Sequence, residues 1–304
     1  MGILIYTIIV THNGISCIEK CIKSLLNSTV KNKILIIDNA SSDGTVELIK
    51  NFFPEIEIIE LGDNIGFGKA NNIGLNIAIK DNADYIFLIN QDAYVESDTI
   101  EELINFSKLF NKYGIISPVH LNKNSDGLDK NFSYYVDEQS LIDIKNKVKQ
   151  NILFKEVDFV NAAAWLITKE CLKIVGGFDP IFSHYGEDRD YCNRVKFCGF
   201  KICVYFKAFI YHDRFYKENN LYKKNINMLY TSAIAHLKDP NKNLYYSYFG
   251  WFFTRIKKIF KYLILFKFKK IIDEIYVEYL IIKNFKQLKK HRSYCMKTRC
   301  PFLN

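Results

Sequence analysis

Over its first 120 residues the chain sets short apolar runs against segments in which apolar residues recur every three or four positions. Ile3–Val10 is a continuous run of buried-strand length, and Ile18, Cys21, Ile22, Leu25 and Leu26 then follow helical spacing. The same alternation continues with strands at Ile34–Ile37, Ile56–Leu61 and Tyr85–Ile89 and helices at Thr45–Phe53 and Ala70–Ile79. Asp98 and Glu101 have the spacing of a capping box ahead of Leu103, Ile104 and Phe106. Strands alternating with helices predict βαβ units and a mainly parallel sheet. A polar stretch, 122–130, reads as a loop or insertion. Strand-like segments resume at Phe159–Thr168 and Lys201–Tyr211, separated by an acid-rich loop at 176–190 and a helix. The pattern changes near residue 215, which predicts a larger N-terminal unit (1–215) and a helical C-terminal region (216–304).

Charge sharpens that division. The whole chain has a net charge of +9, but residues 250–304 carry 14 Lys and Arg against 3 Asp and Glu, so the remainder is nearly neutral. Such a basic segment calls for an anionic partner of its own. Eight cysteines are scattered without zinc spacing, and several lie in apolar runs, which favours buried free thiols and a reducing, cytoplasmic setting. The first ten residues lack the basic flank and cleavage site of a signal peptide and read as the first strand.

Open parallel sheets bind ligands beyond the carboxyl ends of their strands. Polar residues gather there: Thr11-His12-Asn13 after the first strand, Asp38-Asn39 after the second, Asn90-Gln91-Asp92 after the fourth. One such group could be turn chemistry; three in one half of a sheet point to a site. No G-x-G-x-x-G follows the first strand and no Walker pattern occurs, which excludes the dinucleotide and P-loop classes, and Gly66-Phe67-Gly68 reads as a tight turn entering a helix. Farther on, Glu187, Asp188 and Asp190 stand within four residues before a helix. Such crowding either serves the helix dipole or raises one carboxyl's pKa toward proton transfer.

Taken in order, Val10-Thr11-His12-Asn13, Asp38-Asn39-Ala40-Ser41-Ser42-Asp43-Gly44-Thr45, Asn64-Ile65-Gly66-Phe67-Gly68-Lys69-Ala70-Asn71-Asn72, Leu88-Ile89-Asn90-Gln91-Asp92, Gly176-Gly177-Phe178-Asp179 and Gly186-Glu187-Asp188-Arg189-Asp190 with Arg194 resemble the family 2 glycosyltransferases of the GT-A fold, especially their rhamnosyltransferase-like branch. The resemblance spans about residues 3–215. It implies a Rossmann-like, mostly parallel sheet flanked by helices, with the basic helical region as an extension. It also implies an inverting transfer of rhamnose or another hexose from a dTDP- or UDP-sugar to a glycan or lipid-linked saccharide, in the synthesis of a cell-surface polysaccharide.

The resemblance assigns roles by position. Asp38 would accept a hydrogen bond from the pyrimidine N3–H, with Thr11 and Asn13 lining the nucleoside and Asn64, Gly66, Lys69, Asn90 and Gln91 completing the nucleotide-sugar site. Asp92 would hold Mg²⁺ or Mn²⁺ on the diphosphate, although Asn90 stands where stricter members carry an acid. Asp188 aligns with the general base, and Glu187 and Asp190 would contact sugar or acceptor. His212 would complete the metal site; on position alone it is equally an ordinary surface histidine. Trp165 and Tyr185 are candidates for stacking on a sugar face.

In the C-terminal region Ile256, Ile259, Phe260, Leu263 and Ile264 recur at helical spacing among Arg255, Lys257, Lys258 and Lys261. This predicts a basic amphipathic helix lying on an anionic membrane through residues 250–290, too short in its apolar run to span, and a peripheral location on the inner face of the cell membrane. The alternative is a helix packing its stripe on the catalytic unit. No helix-turn-helix, RNP or zinc pattern accompanies the charge, which argues against nucleic acid. A non-catalytic carbohydrate- or nucleotide-binding protein on the same fold is the competing function.

Overall fold

The computed structural model describes residues 2–136, 140–213 and 221–303, so the change of character near residue 215 falls outside the described residues. The apolar runs become strands β1 (Ile5–Thr11), β2 (Lys33–Asp38), β3 (Glu57–Glu60) and β4 (Tyr85–Asn90), all parallel. Helices α1 (Ile18–Leu26), α2 (Thr45–Phe52) and α3 (Phe67–Lys80) connect them. Beyond β4 the sheet becomes mixed. The order is β3-β2-β1-β4-β8-β6-β9-β5, with β5 at Ala93–Val95, β6 at Tyr113–Asn122, β8 at Ala164–Thr168 and β9 at Lys201–His212; β7 (Phe154–Glu156) pairs with β9.

Each central strand is apolar on both faces because helices cover both. Tyr6 and Ile8 point toward α3, α7 (Lys169–Val175) and α8 (Glu187–Phe197), and Ile5 and Ile9 toward α1, α2 and α4 (Thr99–Leu109). Full burial of an Ile contributes roughly 1.5–3 kcal/mol, so the register of these blocks, paired Thr11 to Asp38 and Val10 to Asn90, is strongly fixed. That register brings the polar residues after β1, β2 and β4 to one end of the sheet.

Several local expectations are revised. The third strand starts at Glu57, and the strand expected from Phe159 begins at Ala164. Two helices, α5 (Lys130–Val136) and α6 (Leu141–Lys149), follow the polar stretch. Asp98 does occupy the N-cap of α4, but its side chain makes no cap hydrogen bond.

The C-terminal region is helical: α9 (Leu221–Lys238), α10 (Leu244–Ile264) and α11 (Phe268–Lys297). Its apolar cluster, Ala233, Ile234, Leu237, Leu244, Val277, Ile281 and Leu288, also takes in Phe182 from the loop before α8. The backbone ties it down as well: the Gly177 amide donates to the Pro301 carbonyl (2.9 Å) and the Cys300 amide to that of Ile174 (3.1 Å). All eight cysteines are free.

Candidate active site

Asp38 ends β2 with its side chain almost fully buried. Its Oδ1 accepts from Thr11 Oγ1 (2.8 Å) and Ser41 Oγ (2.5 Å), and its Oδ2 from the Ser41 amide (2.9 Å). Two carboxylate oxygens have about four acceptor positions, so these three bonds orient the group and leave capacity for one more donor. The following loop is stitched to its neighbours. Asn13, with φ of 51°, donates its amide to Ser41 Oγ (2.9 Å), and its Oδ1 accepts from the Ser42 amide (2.9 Å). Asn39 donates to Asn64 Oδ1 (2.9 Å) and accepts from the Ile65 amide (2.9 Å).

A cleft of about 320 Å³ opens against these loops, lined by His12, Asn39, Asn64, Phe67, Asn90, Gln91, Asp92 and His184. Gln91 closes one side by exchanging hydrogen bonds with the His12 backbone (2.9 and 3.2 Å). On the other side Gly66 caps α3 with φ of 90°, and a β-carbon there would collide with the Ser183 carbonyl. This close approach brings the 181–186 loop over the start of α3 and places His184 in the cleft, as the tight-turn reading of Gly66 requires. Lys69 stands in the first turn of the same helix. A larger cavity of about 670 Å³ lies at the opposite, amino end of β1 and β2, where the strands present Ile5, Lys33 and Ile34. Ligand binding in open sheets favours the carboxyl end.

Asp92 and His212 meet although 120 residues separate them, because β5 pairs antiparallel with the end of β9, Ala93 opposite His212. His212 Nε2 lies 3.3 Å from Asp92 Oδ1, and its Nδ1 faces Asp129 Oδ2 at 3.8 Å. Among the described residues no group of three or more His, Cys, Asp or Glu side chains is arranged to hold a metal by itself. Two donors, a carboxylate and an imidazole, nevertheless suit a divalent ion that takes its remaining ligands from water and a diphosphate. The residues therefore fit an ion arriving with a nucleotide. Asp129, which sits where an imidazole-orienting carboxylate would be placed, was hidden in sequence within a stretch that reads as polar loop.

Glu187 and Asp188 open α8, entered through Gly186 at φ of 91°. Burial, followed by the charge of Asp188, pushes the Glu187 carboxyl up to about 7, and its Oε2 is buried without a hydrogen-bond partner. Burial also raises Asp188, against the opposing pull of the Arg189 amide, which donates to its Oδ1 at 2.7 Å. Both carboxyls, held above their ordinary range, follow directly on the covering loop that carries Phe182 and His184. Tyr185, with φ of 68°, lies beside His184 (ring centroids 4.1 Å apart).

Two sequence candidates leave the cleft. Trp165 is fully buried and stacks on Phe178 (6.2 Å, 17°), so its ring is core and has no face for a sugar. Asp190 is also buried. Its Oδ2 accepts from Arg194 Nε (3.0 Å) and its Oδ1 from Lys238 Nζ (2.8 Å), so its charge is neutralised inside the protein and cannot contact an acceptor. Lys238 also bonds Asp179, which His291 Nδ1 approaches at 2.6 Å. Lys238 was not legible in sequence, where a single lysine in a helical pattern reads as solvated.

The mixed sheet thus carries a cleft at its carboxyl end, with Asp92 and His184 in its lining. The family model for glycosyl transferase family 2 matches residues 6–174, and the chain belongs to that family. It is 24% identical over 196 residues to the dTDP-rhamnosyl transferase RfbF of Shigella flexneri, covering 62% of each chain. It is 24% identical over 170 residues to the low-salt glycan biosynthesis hexosyltransferase Agl10 of Haloferax volcanii, covering 54% of this chain and 53% of that one. The structure of S. aureus TarS residues 1–349 in complex with UDP-GlcNAc superposes with a TM-score of 0.55 at 15% identity, covering 81% of this chain and 69% of that one. The fold is accordingly GT-A. The chain thus spans 62% of the length of RfbF and 53% of that of Agl10.

Proposed function

We propose that this protein is an inverting hexosyltransferase that moves rhamnose or another hexose from a dTDP- or UDP-sugar to a glycan or lipid-linked saccharide of a cell-surface polysaccharide. What supports the reading is a cleft beyond the carboxyl ends of the strands, with the preoriented, nearly buried Asp38 in the loops it opens against and Glu187 and Asp188 directly after the loop that puts His184 in it. Asp38 has room for one more donor and selects a pyrimidine through its N3–H; Thr11, Asn13 and Asn64 hold the loops that frame the base and ribose. Asn90, Gln91 and Lys69 line the way to the diphosphate. Asp92 and His212 would hold Mg²⁺ or Mn²⁺, and that ion supplies neutralisation of the charge on the departing diphosphate.

Asp188 takes the proton of the acceptor hydroxyl as that oxygen bonds to the anomeric carbon and the bond to the diphosphate breaks. The proton ends on Asp188 and the electron pair on the nucleoside diphosphate. A single displacement inverts the anomeric centre. Its raised pKa makes Asp188 a stronger base than an ordinary aspartate. Residues 250–290 bring the enzyme to an anionic membrane.

Titration calorimetry tests the donor half of this reading. The wild type is expected to bind UDP or dTDP and not GDP, and Asp38→Ala to weaken that binding about 10- to 100-fold, the worth of one charge-assisted hydrogen bond. Equal binding of GDP, or an Asp38→Ala variant that folds normally and binds as tightly, contradicts it.

A further inference from the structure

The basic C-terminal segment does not adopt the geometry its pattern predicts. Helices α10 and α11 run antiparallel, closed at the neck by Arg255 and Glu274, which contact each other with both side chains buried. Arg255 also lies 4.0 Å from the centre of the Trp251 ring. Arg255 thus faces the interior, while the outer half of the expected stripe, Phe260, Leu263 and Ile264, faces solvent. Beyond the neck the hairpin continues for about 14 Å along α10 at 1.5 Å per residue. Its turn exposes Ile264 (77%), Phe266 (79%) and Phe268 (59%).

Soluble proteins rarely leave such a contiguous apolar surface bare. Here it is ringed by Lys257, Lys261, Lys267 and Lys270, all exposed, and the chain has no acidic residue from 250 to 272. Apolar side chains at a tip with a collar of like positive charge complement a bilayer surface bearing anionic headgroups. No described helix is long and apolar enough to cross a membrane, so the contact is interfacial.

The direction of the tip matters. In α8 the first turn lies against α9 near Thr231, whose carbonyl would be 3.1 Å from a β-carbon on Gly186, and Asn193 donates to the Ala235 carbonyl, so α8 and α9 run the same way. Asn284 bonds Tyr230 and Cys295 lies by Lys238, so α11 also runs with α9. Met228 and Leu229 share a groove with Lys258, Tyr262 and Lys270 near the tip. The hairpin tip and the Glu187–Asp188 start of α8 therefore lie toward the same end of this helical layer.

We infer that residues 256–273 dip tip-first into the headgroup layer of an anionic bilayer and turn the Glu187–Asp188 start of α8 toward it, so that the acceptor is membrane-borne. Both clauses deepen the function proposed above; the acceptor clause needs its transferase reading, and the docking clause is tested without turnover.

The test uses the full chain with phosphatidylcholine vesicles containing about one-third phosphatidylglycerol, an anionic surface of the kind such lysines attract. Wild type is expected to co-sediment with them and much less with phosphatidylcholine alone or in high salt. Ile264→Ser/Phe266→Ser/Phe268→Ser, all at exposed positions, should lower partitioning about tenfold or more while the thermal melt stays unchanged, since the hydrophobic anchor is lost. Phe266→Trp should gain fluorescence that brominated acyl chains quench. With donor and acceptor supplied, the triple variant should lose turnover on a lipid-linked acceptor in vesicles and keep it on a water-soluble one.

Vesicle binding undiminished in the triple variant, or a wild type that ignores anionic vesicles, overturns the docking. A triple variant that only converts a wild-type dimer to monomer assigns the patch to a second copy of the chain and overturns it equally. Equal loss on both acceptors overturns the orientation. Vesicle binding by a protein that turns over no donor leaves the docking intact and sinks the transferase reading instead.

Discussion

Asp188→Asn is expected to lower kcat about a thousandfold while nucleotide affinity stays within a factor of about two, the signature of a lost proton acceptor. Asparagine keeps the shape and can still accept from the Arg189 amide through its oxygen, so α8 should start as before. It cannot hold the proton released by the acceptor. The pH profile carries the same information. Ionised Asp188 is the working form, so activity is present above its folded pKa and lost as pH falls through it. Because burial raises that pKa, the acid limb of kcat/KM should lie above the ordinary aspartate range. Glu187→Gln should retain an acid limb, because the proton acceptor Asp188 is still present in that variant. A kcat unchanged in Asp188→Asn, in steady-state assays at saturating donor and acceptor, would move the base elsewhere.

Lys238→Met is expected to cost about 3–5 kcal/mol of stability, because it strands two buried carboxylates. Lys238 bridges Asp179 and Asp190, and Arg194 and His291 can satisfy only part of what it holds. Arg194 is already committed to the Val175 and Gly177 carbonyls, both at 2.6 Å. Burial alone would raise Asp179, but His291 and Lys238 together hold it down at about 2. A depressed carboxyl contributes stability above its unfolded pKa and loses it as pH falls toward the folded one. The penalty in Lys238→Met should therefore be greatest near neutral pH and shrink in acid, where Asp179 can protonate. Denaturant unfolding across pH measures this, and Lys238→Met/Asp190→Asn should recover part of the loss. A pH-independent penalty below about 1 kcal/mol would show that the cluster is not a water-excluded ion network.

The sheet and half of the site were legible because both follow from local pattern. Continuous apolar blocks give buried parallel strands, and the residues after them, Asp38 and Asp92, must then lie at one edge. Asp188 was legible through the ordered set of motifs around it. What the pattern could not carry was pairing across the chain. Trp165 belongs to the core because Phe178 and Tyr191, from a different helix and loop, cover it. Asp190 reads as one of three helix-start acids until Lys238, 48 residues on, takes its charge. Asp129 sits by His212 only through the register of β6 with β9. In α10 a helical stripe predicts that some face is covered; the structure covers Arg255 and leaves Phe260 and Ile264 bare, because the buried partner is Glu274 in α11.

The central claim, that this cleft transfers a sugar from a pyrimidine nucleotide by way of Asp188, is met most directly by following nucleoside diphosphate release. The assay takes a panel of dTDP- and UDP-sugars with lipid-linked acceptors, for wild type and Asp188→Asn, with Mn²⁺ or with chelator. Mn²⁺-dependent release from one donor by the wild type is expected, abolished by chelator and reduced about a thousandfold in the variant. Release that is equal in both proteins, or a panel on which the wild type neither turns over nor binds any nucleotide, contradicts it.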